Sequence, residues 1–239
     1  MVDLKDLKVK LFMDGADVEA IKKAAKDNPW VKGFTTNPTL MAKAGIKDYA
    51  AFAKEVLKYV TELPVSFEVF SDDFNEMERE ARIIAGWAKN AIVKIPISNT
   101  KGEPSYKLVE KLAKDGILLN VTAILTIDQV ENLAKVLNPN VASIVSVFAG
   151  RIADTGVDPI PHMKKCLEIL KPLPKAELLW ASPREVLNLY QANDCGCHII
   201  TATPDLINKV TLRNKDLKQY SLETVQMFYN DAVKSGFKL

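Results

Sequence analysis

The sequence predicts an α/β protein that folds as a single-domain (β/α)8 barrel, or TIM barrel, with one extra C-terminal helix. Short runs rich in Val, Ile and Phe recur along the 239 residues, and each is followed by a segment with helical spacing of apolar residues. Eight such runs can be counted, which is the number that closes a parallel barrel. The chain lacks the glycine-rich nucleotide loop typical of open doubly wound sheets, so the closed barrel is favoured.

The eight runs define the predicted strands. In chain order they span residues 9–14, 33–37, 65–70, 91–97, 117–124, 141–148, 177–181 and 197–203. Helices are predicted between them, after Asp17 and over 48–62, 73–90, 105–115, 128–137, 159–170 and 183–192, and a terminal helix over 222–235. Asp17 suits an N-cap and Gly116 a helix stop, which supports two of these boundaries.

The chain is predicted to form one domain. No linker rich in Gly, Ser or Pro divides it, so residues 1–239 are expected to form one barrel domain, with 212–239 as a C-terminal helical extension. This extension lies outside the eightfold repeat. We expect it either to cover a barrel mouth or to reach a neighbouring subunit, and we expect a homo-oligomer.

Composition excludes several classes of protein. Hydrophobic residues make up 48% and charged residues 26%, which is ordinary for a globular chain. The 32 basic and 30 acidic residues are interspersed, so no nucleic-acid surface is expected. No run of eighteen apolar residues occurs, and the N-terminus lacks the apolar core of a signal peptide. A cytoplasmic protein with no membrane partner is therefore predicted.

The three cysteines do not predict a disulfide framework, because their number is odd and the chain is long. The segment Cys195-Gly196-Cys197-His198 resembles one corner of a zinc site. A second Cys/His pair with ligand spacing is missing from the sequence, so no metal is expected there.

The segment at 91–97, AIVKIPI, carries one lysine, Lys94, in an apolar β-branched run. Removing a charged group from water costs several kcal/mol unless it is paired or loses its proton, and a neutral amine can attack a carbonyl to form a Schiff base. The alternative is a side chain with a buried stem and a solvated ammonium. This segment alone leaves both interpretations open.

Polar residues stand at the ends of the first seven predicted strands. In a (β/α)8 barrel the chemistry lies at the carboxyl ends of the strands, so these residues are candidates for one site. They are Asp14, Thr36 and Asn37, Glu68, Lys94, Asn120 and Thr122, Ser146 and Phe148, and Ser182 and Arg184. Any one of them could be a helix cap, a turn residue or a solvated rim residue, but seven coincidences are much less expected than one.

Five motifs together resemble the transaldolase family, which includes the fructose-6-phosphate aldolases. They are Phe12-Met13-Asp14, Thr35-Thr36-Asn37-Pro38-Thr39-Leu40, Val93-Lys94-Ile95-Pro96, Asn120-Val121-Thr122, and the segment 146–154, SVFAGRIAD. The match runs from about residue 9 to 210 in the family's order. The resemblance implies a Schiff-base barrel enzyme that needs no metal and no cofactor, with its lysine on the fourth strand.

The resemblance implies a role for each catalytic candidate. Lys94 would attack the C2 carbonyl of a ketose, and Asp14 would take the proton from the C4 hydroxyl during C3–C4 cleavage. Glu68 and Thr122 resemble the pair that orders a water near the lysine. The neutral groups suited to binding the hydroxyls of a dihydroxyacetone unit are Asn37, Asn120 and Ser146.

The resemblance also implies a separate anion pocket. Arg151, Ser182 and Arg184 match the family's phosphate site, and two guanidinium groups with a hydroxyl suit a tetrahedral oxyanion. Sulfonate has the same shape as phosphate, so a sulfofructose transaldolase is an alternative.

Two positions favour transfer over simple cleavage. Glu68 and Phe148 look like the transaldolase residues, whereas the aldolase branch resembles these sites with a glutamine and a tyrosine. A phenol near the lysine would help water release the three-carbon unit, and Phe148 cannot do so. The implied activity is transfer of a dihydroxyacetone unit from a ketose phosphate to an aldose phosphate, of the pentose phosphate pathway type, with fructose-6-phosphate aldolase as an alternative.

The sequence departs from the family in two places. Gly15 and Ala16 follow Asp14, where the family more often has a threonine and an asparagine. The strand-seven segment 180–184, WASPR, carries Trp180 and Pro183, which common members are not expected to have. These changes leave the substrate open. A barrel that only binds sugar phosphates would be expected to have lost one of its catalytic candidates, and a metal-dependent aldolase would need more than His162 and His198.

Overall fold

The computed structural model describes residues 6–238, and eight parallel strands close into a barrel in chain order. The strands are β1 Lys10–Asp14, β2 Val31–Thr35, β3 Val65–Glu68, β4 Ala91–Pro96, β5 Leu119–Ile124, β6 Ser143–Val147, β7 Ala176–Trp180 and β8 Ile199–Ala202. The predicted (β/α)8 barrel with an extra C-terminal helix is confirmed. The outer positions in the domain prediction, 1–5 and 239, lie outside the described residues.

Helices follow the strands around the barrel. They are α1 Val18–Asp27, α2 Pro38–Lys43, α3 Tyr49–Tyr59, α4 Phe74–Ala85, α5 Tyr106–Lys114, α6 Ile127–Ala134, α7 Ala149–Asp154, α8 Pro159–Leu170, α9 Leu187–Cys195, α10 Pro204–Asn208 and α11 Leu217–Ser235, with a 3₁₀ turn at Lys209–Leu212. Asp17 caps α1 by accepting a hydrogen bond from the Ala20 amide, as predicted. No helix within 6–238 has both the length and the apolar character needed to cross a membrane.

Several predicted boundaries are wrong, and side-chain hydrogen bonds to the backbone explain the differences at β2 and α9. β2 ends at Thr35, not at residue 37, because Asn37 caps the unpredicted helix α2 by accepting a hydrogen bond from the Leu40 amide at 3.0 Å. The helix predicted over 183–192 begins at Leu187. There Asn188 Oδ1 accepts hydrogen bonds from the Arg184 and Glu185 amides, so 183–186 remains a loop.

Two further differences concern helices. The short helix α7 was not predicted, since residues 149–154 carry no long apolar repeat. The terminal helix begins at Leu217 instead of residue 222, because Asp216 caps it by accepting a hydrogen bond from the Gln219 amide.

Alternation along the strands divides the core into two parts. On β4, Val93 and Ile95 belong to the core beneath the helices, whereas Ile92 belongs to a cluster inside the barrel. This inner cluster comprises Phe12, Ile92, Ile144, Leu179, Ala181 and Ile199. Because successive side chains alternate between faces, Lys94 shares the inward face with Ile92. The inner apolar cluster forms the floor beneath the polar carboxyl end.

The Phe12 ring fixes the identity of Gly33 on the neighbouring strand. A Cβ atom at Gly33 would lie 2.5 Å from Phe12 Cζ, which is inside van der Waals contact. The absent side chain therefore makes room for the aromatic ring that fills this side of the barrel floor.

The C-terminal helix α11 packs differently from the other long helices. None of its 19 residues is buried among the described residues. Four apolar residues lie within one face at helical spacing, Leu222, Val225, Tyr229 and Val233, and each is at least half exposed. An exposed apolar stripe of this length is typical of an interaction surface.

Candidate active site

A cavity of about 500 Å³ opens at the carboxyl ends of the strands. All eleven residues predicted for the site line it. They are Asp14, Asn37, Glu68, Lys94, Asn120, Thr122, Ser146, Phe148, Arg151, Ser182 and Arg184. The structure therefore brings the predicted set together, while the role of each residue stays a prediction.

Lys94 lies at the centre of a row of inward side chains. In the strand register Glu68 is opposite Lys94, and Lys94 is opposite Asn120. Lys94 Nζ is 2.9 Å from Glu68 Oε2 and donates a hydrogen bond to the Thr36 carbonyl at 3.1 Å. Only 9% of the Lys94 side chain is exposed, so the alternative of a solvated ammonium is wrong. The amine is buried, paired and open to the cavity.

Asp14 provides the second carboxylate of the cavity. Thr35 Oγ1 donates a hydrogen bond to Asp14 Oδ1 at 2.7 Å, and Asn37 Nδ2 approaches Asp14 Oδ2 at 3.5 Å. Burial raises the pKa of Asp14 above its ordinary value of 3.8, and this effect outweighs the Lys94 ammonium, which lowers it. Asp14 therefore holds a proton at higher pH than an exposed aspartate does.

Two threonines, Thr35 and Thr201, belong to the site although they are not among the predicted site residues. Thr35 Oγ1 and Thr201 Oγ1 lie 2.6 Å apart, and both residues line the cavity. Since the Thr35 hydroxyl donates to Asp14, Thr201 is the donor to Thr35, and the three side chains form a chain that orients the carboxylate. Thr35 and Thr201 lie two residues after Gly33 and Ile199 on their strands, so strand alternation places them on the same inward face. The sequence did not single them out, because threonine is common in strands.

Asn120 and its neighbours form a second polar chain. Ser146 Oγ donates to Asn120 Oδ1 at 2.6 Å, and Asn120 Nδ2 donates to Ser66 Oγ at 3.0 Å. Thr122 Oγ1 is buried and has no hydrogen-bond partner among residues 6–238. Because Thr122 also lines the cavity, its hydroxyl is available to a bound water or ligand.

The two arginines stand at the rim of the cavity. Arg184 forms a two-pronged ion pair with Asp154, in which Nε is 3.0 Å from Oδ1 and Nη2 contacts Oδ2. The Arg151 guanidinium lies 5.4 Å from the centre of the Phe148 ring. Arg184 lowers the pKa of Asp154, so Asp154 is ionised at neutral pH and holds Arg184 in place. Asp154 is not among the predicted site residues.

A close backbone contact joins the loops that carry these arginines. A Cβ atom at Gly150 would lie 1.6 Å from the Ser182 carbonyl oxygen, and the Gly150 amide donates to the Ala181 carbonyl at 3.2 Å. Ser182 itself has φ of 56°, in the left-handed region. Glycine is therefore required at position 150, where the exits of β6 and β7 meet.

The fold and the cavity together define a class of protein: a (β/α)8-barrel enzyme whose site holds a buried amine, two carboxylates and an arginine rim. The family model described as Transaldolase/Fructose-6-phosphate aldolase matches residues 11–239. The chain belongs to this transaldolase/fructose-6-phosphate aldolase family.

Similar proteins agree with this assignment. A protein of Listeria monocytogenes named "Probable transaldolase 2" is 37% identical over 203 residues, covering 84% of this chain and 88% of that protein. A "Probable transaldolase" of Bdellovibrio bacteriovorus is 35% identical over 216 residues, covering 89% of this chain and 95% of that protein.

A solved structure supports the barrel alone. The crystal structure of a putative lyase/mutase from Burkholderia cenocepacia superposes with a TM-score of 0.61 at 10% identity. The superposition covers 98% of this chain and 86% of that one. At this identity the likeness concerns the fold only.

The raised pKa of Asp14 predicts a stability effect that depends on pH. Below pH 3.8 the Asp14 carboxyl is protonated in both the folded and the unfolded state. As the pH rises from there through the raised pKa of the folded state, the unfolded chain loses the proton first, so the folded protein loses stability. Asp14→Asn is therefore expected to raise the free energy of unfolding at pH 7 by more than at pH 3.5, by about 1.4 kcal/mol per unit of pKa shift. Urea unfolding at both pH values measures this difference.

The exposed residue Asp194 supplies the matched control. Asp194→Asn is expected to change the free energy of unfolding by less than about 0.5 kcal/mol at either pH. A stability gain for Asp14→Asn that is equal at the two pH values would contradict the assigned burial of a charged carboxylate.

Proposed function

We propose that this protein is a transaldolase that transfers a dihydroxyacetone unit from a ketose phosphate, such as sedoheptulose 7-phosphate or fructose 6-phosphate, to an aldose phosphate. The observation that carries the proposal is the buried pair of Lys94 Nζ and Glu68 Oε2, 2.9 Å apart, in a cavity that also holds Asp14. The family assignment and the names of the relatives support it.

The first stage joins the donor to Lys94. Glu68 accepts the proton that the ammonium must lose, and the neutral amine attacks the C2 carbonyl of the ketose. The carbinolamine then loses water to give a protonated imine. The free hydroxyl of Thr122 and the carboxylate of Glu68 are suited to holding that water, since both line the cavity around the amine.

The second stage breaks the C3–C4 bond. Asp14 takes the proton of the C4 hydroxyl, the C4 carbonyl forms, and the bonding electron pair moves through C3 and C2 to the imine nitrogen. An aldose phosphate then replaces the released aldehyde. The enamine carbon attacks it, and Asp14 returns the proton to the new C4 hydroxyl, which regenerates the protonated imine. Water then adds to C2 and the C2–N bond breaks, which releases the product ketose and frees Lys94. The raised pKa of Asp14 suits a group that must both accept and return a proton.

Neutral side chains would hold the three-carbon unit between these stages. Asn37, Asn120 and Ser146 each offer a donor and an acceptor to hydroxyl groups. Asn120 and Ser146 already bond to each other, which fixes the direction of both side chains before the ligand arrives.

Arg151, Ser182 and Arg184 would bind the phosphate of donor and acceptor. They line the rim of the cavity, and Asp154 orients Arg184 through a bidentate ion pair with its guanidinium group. A sulfonate presents the same tetrahedral oxygens, so a sulfofructose transaldolase remains the alternative substrate assignment.

Phe148 favours transfer over fructose-6-phosphate aldolase activity. Its ring lies in the cavity beneath the Arg151 guanidinium and carries no hydroxyl to activate water. The bound three-carbon unit would therefore await an aldose acceptor. A place in the pentose phosphate pathway and in the cytoplasm follows from this activity as part of the proposal.

A homo-oligomer of single-domain subunits is proposed from the C-terminal extension, residues 212–239. The apolar stripe on α11 is exposed over Leu222, Val225, Tyr229 and Val233, and a second copy of the chain would cover it.

Borohydride reduction tests the covalent stage. Treating the protein with fructose 6-phosphate and borohydride is expected to attach a three-carbon adduct to the peptide that contains Lys94, as measured by mass spectrometry. Lys94→Met should give no adduct. Asp14→Ala should still form an adduct on Lys94, but one that retains the whole six-carbon ketose phosphate, while turnover falls about 100-fold or more, because imine formation does not require the Asp14 carboxylate and C3–C4 cleavage does. An unmodified Lys94 in the presence of a competent ketose would refute the Schiff base.

Substitution of Arg184 tests the anion pocket. Arg184→Ala is expected to raise KM about 10- to 100-fold for phosphorylated donors, and much less for dihydroxyacetone, because a hydrogen bond to a charged group contributes about 1.5–3 kcal/mol. Steady-state kinetics with both donors measures the difference. Arg79→Ala, which removes an exposed arginine on α4, is the matched control. Equal effects on the two donors would remove Arg184 from the pocket.

Light scattering tests the oligomer. The protein is expected to have a solution mass that corresponds to two or more subunits of 26.5 kDa. Val225→Asp should weaken association about 10-fold or more, because it places a charge in a contact that excludes water. Met227→Asp, on the opposite side of α11, should have a smaller effect. A monomeric wild-type protein would contradict the proposal.

A further inference from the structure

Two cysteines at the far end of the barrel have no part in the proposed reaction. Cys195 is the last residue of α9, and Cys197 lies just before β8. Their Sγ atoms are 3.3 Å apart and joined by a hydrogen bond. Because β8 runs from this end toward Thr201 in the cavity, the pair lies at the amino ends of the strands, opposite the candidate active site.

We propose that Cys195 and Cys197 form a thiol oxidation site that reduces a small peroxide and ends as a disulfide between the two residues.

The turn at Gly196 makes the pairing possible. Gly196 has φ of 90° and ψ of 18°, and this left-handed residue reverses the chain so that both sulfur atoms come together. A disulfide requires a sulfur–sulfur distance of about 2.05 Å, so the sulfurs need to close by about 1.3 Å. Side-chain rotation within this short turn can supply that movement, and no change of strand pairing is needed.

The two thiols differ in acidity, which separates their roles. The hydrogen bond with Cys197 lowers the pKa of Cys195, and the Lys164 ammonium adds to this effect. The same hydrogen bond, together with burial, raises the pKa of Cys197. Cys195 is therefore the thiolate that attacks, and Cys197 is the thiol that resolves the product.

The chemistry balances with hydrogen peroxide as the oxidant. The Cys195 thiolate attacks one peroxide oxygen, the O–O bond breaks, and the departing hydroxide takes a proton to become water. This leaves a sulfenic acid on Cys195. The Cys197 sulfur then attacks that sulfur and loses its proton, the S–O bond breaks, and a second water leaves. Two thiols and one peroxide thus give one disulfide and two waters.

Burial selects the size of the oxidant. Cys195 is 8% exposed and Cys197 is 4% exposed, so a peroxide can approach but a tripeptide disulfide cannot. The closed loop contains only one intervening residue, and so short a loop adds little stability to the folded state. The disulfide is therefore expected to be labile and to be reduced readily by a dithiol.

Peptide mapping of the full-length protein tests this proposal without any substitution. The protein is treated with hydrogen peroxide, its free thiols are alkylated, and it is digested with trypsin. The tryptic peptide 185–209 contains both cysteines, and Cys166 begins a separate peptide. We expect peptide 185–209 to lose the mass of two hydrogens and to resist alkylation until it is reduced. Glutathione disulfide at the same concentration should leave it unchanged.

Cys166 provides the internal comparison. It is fully buried, and burial raises the pKa of its thiol to about 12. Oxidation within peptide 185–209 is expected to be at least ~10-fold faster than oxidation of Cys166. Cys197→Ser should stop at a sulfenic acid on Cys195, which dimedone traps, and should keep turnover. Full alkylation of Cys195 and Cys197 after peroxide, or a cross-link to the Cys166 peptide, would overturn the proposal.

Discussion

The ion pair between Lys94 and Glu68 is the interaction on which the cavity depends. A buried ammonium alone would cost several kcal/mol, and removal of either partner from such a pair typically costs about 3–5 kcal/mol. The barrel makes the pair possible because β3 and β4 place Glu68 directly opposite Lys94 in the register. The Thr36 carbonyl accepts another Nζ hydrogen, so the amine is held by two elements and still faces the cavity.

The apolar floor supports this arrangement from below. Strand alternation places Ile92 one inward position beneath Lys94, and Phe12 lies beneath Asp14 in the same way. Water is therefore excluded from the amino side of the site, which strengthens the electrostatic interactions above the floor. The same exclusion raises the pKa of Asp14. One packing layer thus determines both the strength of the ion pair and the acidity of the second carboxylate.

The barrel could be predicted from the sequence because its strands are apolar runs of regular spacing, and the cavity residues because they end those runs. The element boundaries and the additional cavity residues could not be predicted, because they depend on side-chain hydrogen bonds. Asn37 ends β2 early by capping α2, and Asn188 delays the start of α9. Thr201 lines the cavity and bonds to Thr35, but threonine is common in strands, so its identity alone did not single it out.

The contact at Gly150 limits how the arginine-bearing rim of the cavity can change. Because the Gly150 backbone lies against the Ser182 carbonyl, the two loops that carry the arginines form a single rigid edge. Such preorganisation lowers the entropy lost when a ligand is bound, but it also ties the position of Arg151 to that of Ser182. Asp154 ties the same two loops a second time through its ion pair with Arg184. A change in the shape of the rim is therefore more accessible at Pro183, whereas position 150 must stay glycine.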